Sequence, residues 1–299
     1  MPYKIDERDH WCEKHRQFCP DAHDGECRGE WCQYEDRIKV LISAPLRQDV
    51  KVFREYQAGL DRLIIPDGVT VDRHYIVNDC PEIIPEIRGS YEVMDTGDDY
   101  VITNDDHKWT AANLNKMPRL RNATIKAALD GGYDYLFSVD TDIVLQPPTL
   151  KRLLNAQKDM ISEVFWTEQP NITWCNAWMY DQIDTGGMYP TWRRPGTYRV
   201  GMTGACTLID TKMLKAGVNY DPIPNLRYLW GEDRYFCIRA AVHGFEIWLD
   251  THYPATHLYT EKEYQKYISG GNGNDRSGTK GSNGQSPGHM GHGSDNDSV

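Results

Sequence analysis

The sequence predicts an α/β domain in which helices flank a mostly parallel central sheet. Three observations predict it. From about Arg37 to Ile268, runs rich in β-branched residues alternate with segments whose apolar residues recur at helical spacing. Several of the strand-like runs end on acids, the end at which parallel strands meet their ligands. The flanking stretches, 1–36 and 269–299, show neither period.

The elements follow in order. Ile38–Pro45 is a first strand, closed by its proline, and residues 49–63 place Val52, Tyr56, Leu60 and Leu63 on one helical face. Val71–Asp79 is a second strand. Leu120–Gly132 is a helix with Gly131 and Gly132 as its stop, and it leads into the apolar run Tyr135–Leu145, expected as one buried strand carrying Asp140 and Asp142. The segment PPTLKRLLNAQ opens a helix on prolines, where they are tolerated. MISEVFW and GACTLID are further strands, GEDRYFCIRAAVHGF is a helix ending near Gly244, and EIWLD is a short strand. Between the two middle strands lies a Gly- and Pro-containing stretch with Trp174, Trp178, Tyr180, Tyr189, Trp192 and Tyr198. It reads equally as a long loop folded on its own aromatic cluster and as a platform for the apolar faces of sugar rings.

Bulk properties narrow the function. A net charge of -11 argues against nucleic acid, whose phosphates are held by Lys and Arg. An acidic chain that takes a nucleotide diphosphate needs a divalent cation to screen it. The N-terminus has no apolar core and no stretch approaches the length of a transmembrane helix, so the expectation is a cytoplasmic chain without a membrane span. Residues 1–36 hold Cys12, Cys19, Cys27 and Cys32 with His10, His15 and His23, at spacings that suit a structural Zn²⁺; disulfides and free thiols are the alternatives. Residues 269–299 are Gly, Ser and Asn with little to bury, and are expected to be disordered.

The chemistry centres on Asp140-Thr141-Asp142. On extended backbone two carboxylates one residue apart point the same way and reach one cation, and their hard oxygens suit Mn²⁺ or Mg²⁺. A solvated strand end is the competing reading, disfavoured by the apolar residues on both sides. Other motifs stand around it in order: Arg121-Asn122 in the preceding helix, Gly231-Glu232-Asp233 opening a helix with Arg239 downstream, and a late His257. In this ordered set, over roughly residues 37–260, the chain resembles the GT-A fold glycosyltransferases (Rossmann-type), especially the inverting family 2. The cysteine-rich extension departs from that pattern.

The resemblance implies a metal-dependent transfer of sugar from a UDP- or GDP-sugar to a saccharide, lipid or protein hydroxyl, with inversion. Asp142 would ligate the metal with His257, for which His252 competes, and Asp140 would touch a metal-bound water or the donor ribose. Pro45, Arg47 and Asp79 would line the nucleotide pocket, Asp79 accepting a base N–H, and Arg121 would lie near the donor. Asp233 would be the catalytic base, with Glu232 as the alternative. Trp230, beside the base, is the candidate acceptor platform. A nucleotidyltransferase is the runner-up, but SAPLRQD lacks the glycines of a triphosphate loop. A non-catalytic zinc-binding module ranks last.

Overall fold

The computed structural model describes residues 38–97, 111–169, 172–180, 182–226 and 231–270, with the backbone of 10–12 and 17–19. Strands β1 (His10–Cys12) and β2 (Gln17–Cys19) pair as an antiparallel hairpin, His10 opposite Cys19. The side chains of Cys12 and Cys19, all of Cys27, Cys32 and Trp230, and the tail from 271 onward lie outside the described residues.

The main domain opens with β3 (Ile38–Leu46), which runs one residue past Pro45. Helix α1 (Val50–Asp61) is capped by the Asp49 side chain, which accepts from the Lys51 N–H at 2.9 Å. Then come β4 (Val69–Val77) and β5 (Ser90–Val93). Helix α2 (Ala111–Asp130) begins well before Leu120 and runs through Pro118, so its predicted start is corrected. A proline inside a polar stretch reads as a boundary, whereas packing against the sheet decides.

The run Tyr135–Leu145 is not one strand. β6 (Tyr135–Val139) and β7 (Ile143–Val144) are separated by a turn at Asp140–Asp142, closed by the Ile143 N–H on the Asp140 carbonyl at 3.0 Å. After α3 (Thr149–Asn155) and β8 (Met160–Gln169), the aromatic stretch is ordered rather than a loop. It forms β9 (Ile172–Cys175), β10 (Ala177–Trp178), α4 (Gln182–Trp192), β11 (Thr197–Val200) and β12 (Met202–Thr203). Trp192 is fully buried there. The chain closes with β13 (Cys206–Asp210), α5 (Thr211–Lys215), α6 (Glu232–Val242), β14 (Ile247–His257) and α7 (Glu261–Ile268). β14 is far longer than the predicted EIWLD.

The central sheet has the order β11-β14-β8-β13-β6-β3-β4-β5. Six of these strands run the same way; β13 and β11 are reversed. Its middle strands are apolar on both faces because both are covered. Val40, Ile42, Tyr135 and Phe137 meet Phe53 and Tyr56 of α1 and Leu150 and Leu153 of α3 on one side. Leu41, Leu136 and Ile209 meet Ile125 and Ala128 of α2, Met213 of α5 and Phe236 of α6 on the other. Each such side chain contributes about 1.5–3 kcal/mol by leaving water. Among the described residues no helix is long and apolar enough to cross a membrane.

Candidate functional site

The site-forming ends of the strands share one edge of the sheet. β3, β4, β6, β8 and β14 present their carboxyl ends there; β13 runs the other way, so its beginning, Gly204-Ala205, arrives at the same place. The turn Asp140–Asp142 sits between them, and Asp140 N–H donates to the Ala205 carbonyl at 2.9 Å. Ala205 holds φ 65°, a left-handed conformation that costs a side-chain-bearing residue roughly 1–2 kcal/mol. Such strain concentrates where the fold over-determines a functional geometry.

Arg121 is the hub. Its buried guanidinium forks onto Asp140, Nη1 to Oδ1 at 2.9 Å and Nη2 to Oδ2 at 3.0 Å. Its Nε donates to Glu232 Oε1 at 2.9 Å and lies 3.8 Å from Asp233 Oδ1. The planar fork of arginine suits this bidentate pairing, which an ammonium cannot reproduce. The Tyr220 ring covers the guanidinium at 5.8 Å, and Asn122 holds that segment by accepting the Tyr220 N–H at 2.9 Å. The Arg-Asn pair of the sequence is thus a charge anchor followed by a clasp.

Glu232 and Asp233, at the start of α6, differ in availability. Glu232 is buried and committed to Arg121, while the Asp233 side chain keeps 22% of its surface exposed. Burial pushes the Asp233 carboxyl up to about 7, against the pull of Arg121 and with a further push from Glu232 and Asp140. Gly204 abuts it: a Cβ there would lie 2.2 Å from Asp233 Oδ2 and 2.3 Å from its Cγ.

On the other side of the turn, Asp142 Oδ2 stands 3.4 Å from His257 Nε2. The other ring nitrogen, Nδ1, meets Thr167 Oγ1 at 2.7 Å, and Phe165 and Tyr259 flank the imidazole. A hydroxyl on Nδ1 that leaves Nε2 aimed at a carboxylate is the outer-shell arrangement of a metal-binding histidine. Adjacent ligands on an octahedral cation with bonds of about 2.1 Å stand about 3.0 Å apart, so the 3.4 Å pair would close by about 0.4 Å on a bound ion. Carboxylate and imidazole therefore fit a divalent ion. His252 instead bonds Asp250 Oδ1 through Nδ1 at 2.9 Å.

Three expectations change. Asp140 and Asp142 do not project together from extended backbone: the turn separates them, and both Asp140 oxygens are on Arg121. Among the described residues no group of three or more His, Cys, Asp and Glu side chains is arranged to hold a metal ion, so the set Asp140, Asp142 and His257 reduces to the last two. Asp79, just past β4 at φ 45°, turns its carboxylate onto its own loop. It accepts from Thr96 N–H at 2.9 Å, Thr96 Oγ1 at 2.5 Å, Gly97 N–H at 3.1 Å and Asn78 Nδ2 at 2.9 Å, with Arg47 Nη1 4.0 Å away. Burial pulls its pKa upward, but these hydrogen bonds outweigh it and leave the carboxyl below its ordinary value.

Sequence reasoning missed Gly204 and Thr167. A glycine opening a strand and a threonine within one carry no signal by themselves.

A scan of the sequence against protein-family models gives no match, and a search of curated proteins gives none. Among solved structures, the fold is similar to a mannosyltransferase, PcManGT, from Pyrobaculum calidifontis in complex with GDP-Man and Mn²⁺. That likeness has TM-score 0.44 and 10% identity over 72% of this chain and 55% of that one. S. aureus TarS 1–349 in complex with UDP gives TM-score 0.48 and 14% identity, over 73% and 59% of the two chains. A second TarS structure gives 0.46 and 14%, over 73% and 36%. The chain spans little more than half the length of the first two and about a third of the last. Likenesses at this level leave the chemistry to the side chains.

Proposed function

We propose that the chain is a metal-dependent glycosyltransferase that moves a sugar from a nucleotide-diphosphate donor to an acceptor hydroxyl, with Asp233 as base. One observation carries the reading: Arg121 joins Asp140 of the turn to Glu232 beside Asp233, with the Asp142–His257 pair on the other side of the same turn. A carboxylate near 7 takes the acceptor's proton as the hydroxyl attacks the anomeric carbon. Asp142 and His257 would hold a Mn²⁺ or Mg²⁺, which when bound supplies positive charge to the departing diphosphate. Arg121 keeps Asp233 in place and screens its charge, and Glu232 holds Arg121 there. Pro45, Arg47 and the Asp79 loop shape the nucleotide end, Asp79 by ordering residues 96–97. A single displacement inverts the anomeric configuration. Trp230 remains the acceptor platform in this reading, and Cys12, Cys19, Cys27 and Cys32 the ligands of a structural Zn²⁺.

The test is a panel of UDP- and GDP-sugars with Mn²⁺, assayed for slow release of nucleoside diphosphate. Release from one donor, lost in Asp142→Ala, is expected. No donor bound or hydrolysed, or full activity in Asp142→Ala, overturns the reading. For the zinc, metal analysis of the full chain and of one lacking residues 1–36 should differ; equal zinc in both rejects it.

A further inference from the structure

β14 pairs in parallel with β8, Asp250 opposite Glu163, and the ladder resumes with Ala255 opposite Phe165. β14 takes five steps where β8 takes two, so residues 251–254 bulge from the ladder. Two residues beyond the resumed pair stand His257 and Thr167, in contact at 2.7 Å. Had the ladder continued evenly from Asp250, His252 would stand opposite Phe165 and Pro254 opposite Thr167. The bulge therefore decides that His257, rather than Pro254, stands beside Thr167 and reaches Asp142.

Each bulge residue is tied down. Thr251 N–H donates to the Gly196 carbonyl at 2.9 Å and its hydroxyl to that of Arg194 at 2.6 Å. His252 N–H donates to Asp250 Oδ1 at 3.0 Å, Tyr253 N–H to Glu163 Oε1 at 3.3 Å, and Gln146 Nε2 to the Pro254 carbonyl at 2.8 Å. Asp250 and Glu163 are both fully buried beneath the site. Asp250 is compensated by Arg152 Nε at 3.0 Å and Thr197 Oγ1 at 2.8 Å. Glu163 is not: Oε1 takes only the N–H groups of Tyr253 and Val164, and Oε2 has no hydrogen-bond partner. Burial, and then the neighbouring Asp250, push its carboxyl well above the ordinary range. A buried polar group left half satisfied is costly, and an apolar side chain would suit a core position better. Catching the Tyr253 N–H is what the carboxyl does that leucine cannot.

We propose that Glu163, together with Asp250, is a positioning residue for the cation site, fixing the β14 bulge so that His257 rather than Pro254 stands beside Thr167 and against Asp142. Its functional meaning rests on reading Asp142 and His257 as cation ligands.

Mn²⁺ binding to the full chain, followed by loss of the free-ion electron paramagnetic resonance signal, tests it. Glu163→Gln keeps an oxygen for the Tyr253 N–H and should bind within about twofold of the unaltered chain, whereas Glu163→Leu should weaken binding about tenfold or more. Gln146→Leu, at a half-buried position, should weaken it in the same direction and serves if Glu163→Leu does not fold. Folded Glu163→Leu or Gln146→Leu binding Mn²⁺ as the unaltered chain does overturns the inference. If the unaltered chain binds no Mn²⁺, the cation reading fails separately. A crystal structure of the metal-free variant then decides the positioning: His257 leaving Thr167 supports it, and His257 staying in place overturns it.

Discussion

At the scale of single residues, Asp233 is poised by its neighbours rather than by its own chemistry. As a base it must be ionised, so kcat/KM should rise with pH through about 7 and level off above it. The effect on stability has the opposite sign. A carboxyl ordinarily at 3.8 and held at about 7 binds its proton more tightly when folded, so its contribution is full below the lower value and lost as pH rises through the upper one. Asp233→Asn should therefore lose roughly 10²–10⁴-fold in transfer rate. Its melting temperature relative to the unaltered chain should also rise between about pH 4 and about pH 7 and level off above. A pH-rate profile and paired melts check both signs. Gly204→Ala gives a second prediction. Its Cβ would occupy the place of the Asp233 carboxylate and stand 2.9 Å from the Asp233 Cβ, so turning the side chain does not clear the contact. Transfer should fall at least about tenfold while donor affinity, measured by titration, holds, because displacing a reacting group costs rate.

At the scale of elements, the Asp-x-Asp motif works through a turn. Breaking the strand at Asp140 sends its carboxylate to Arg121 and Asp142 to His257, and lets β7 leave the line of β6 to pair with β14, His257 opposite Ile143. Helix α1 backs this turn closely at Gly59, where a Cβ would lie 2.9 Å from Val144 Cγ1 and 3.3 Å from the Leu145 nitrogen. Helix propensity alone credits Gly59→Ala with a gain of about 1 kcal/mol. The close approach to a stiff valine and to backbone should reverse that sign, because the helix must move away from the sheet. A lower midpoint in thermal or denaturant unfolding is the expected outcome; a higher one would show that the turn yields.

At the scale of the whole molecule, the site gathers side chains from strands and helices far apart in sequence, so a ligand bound there ties the domain together. Mn²⁺ with a nucleoside diphosphate should raise the melting temperature, by the equivalent of about 2.7 kcal/mol at a ligand concentration a hundredfold above Kd. Chelation should reverse the shift, and Asp142→Ala should abolish it. A shift that survives chelation would mean the nucleotide is held without the ion. The alternation of strands and helices was legible in the sequence because buried strands and amphipathic helices leave periods, as in Ile38–Pro45 and Val52, Tyr56, Leu60. The first turns of α2 were not, since polar residues and Pro118 conceal them. Nor was α4, whose glycines and proline read as loop.

The sequence by itself determined that acids stand at strand ends and that Arg121, Glu232, Asp233 and His257 follow a particular order, because residue type and spacing survive without coordinates. Only the tertiary structure decided which of them meet. Whether Asp140 faces a cation or Arg121, whether Glu232 or Asp233 stays available, and whether His257 reaches Asp142 depend on strand direction, a turn and a bulge. Those are set by hydrogen bonds between distant segments, such as Arg121 to Glu232 and Tyr253 to Glu163, and local sequence does not encode such pairings.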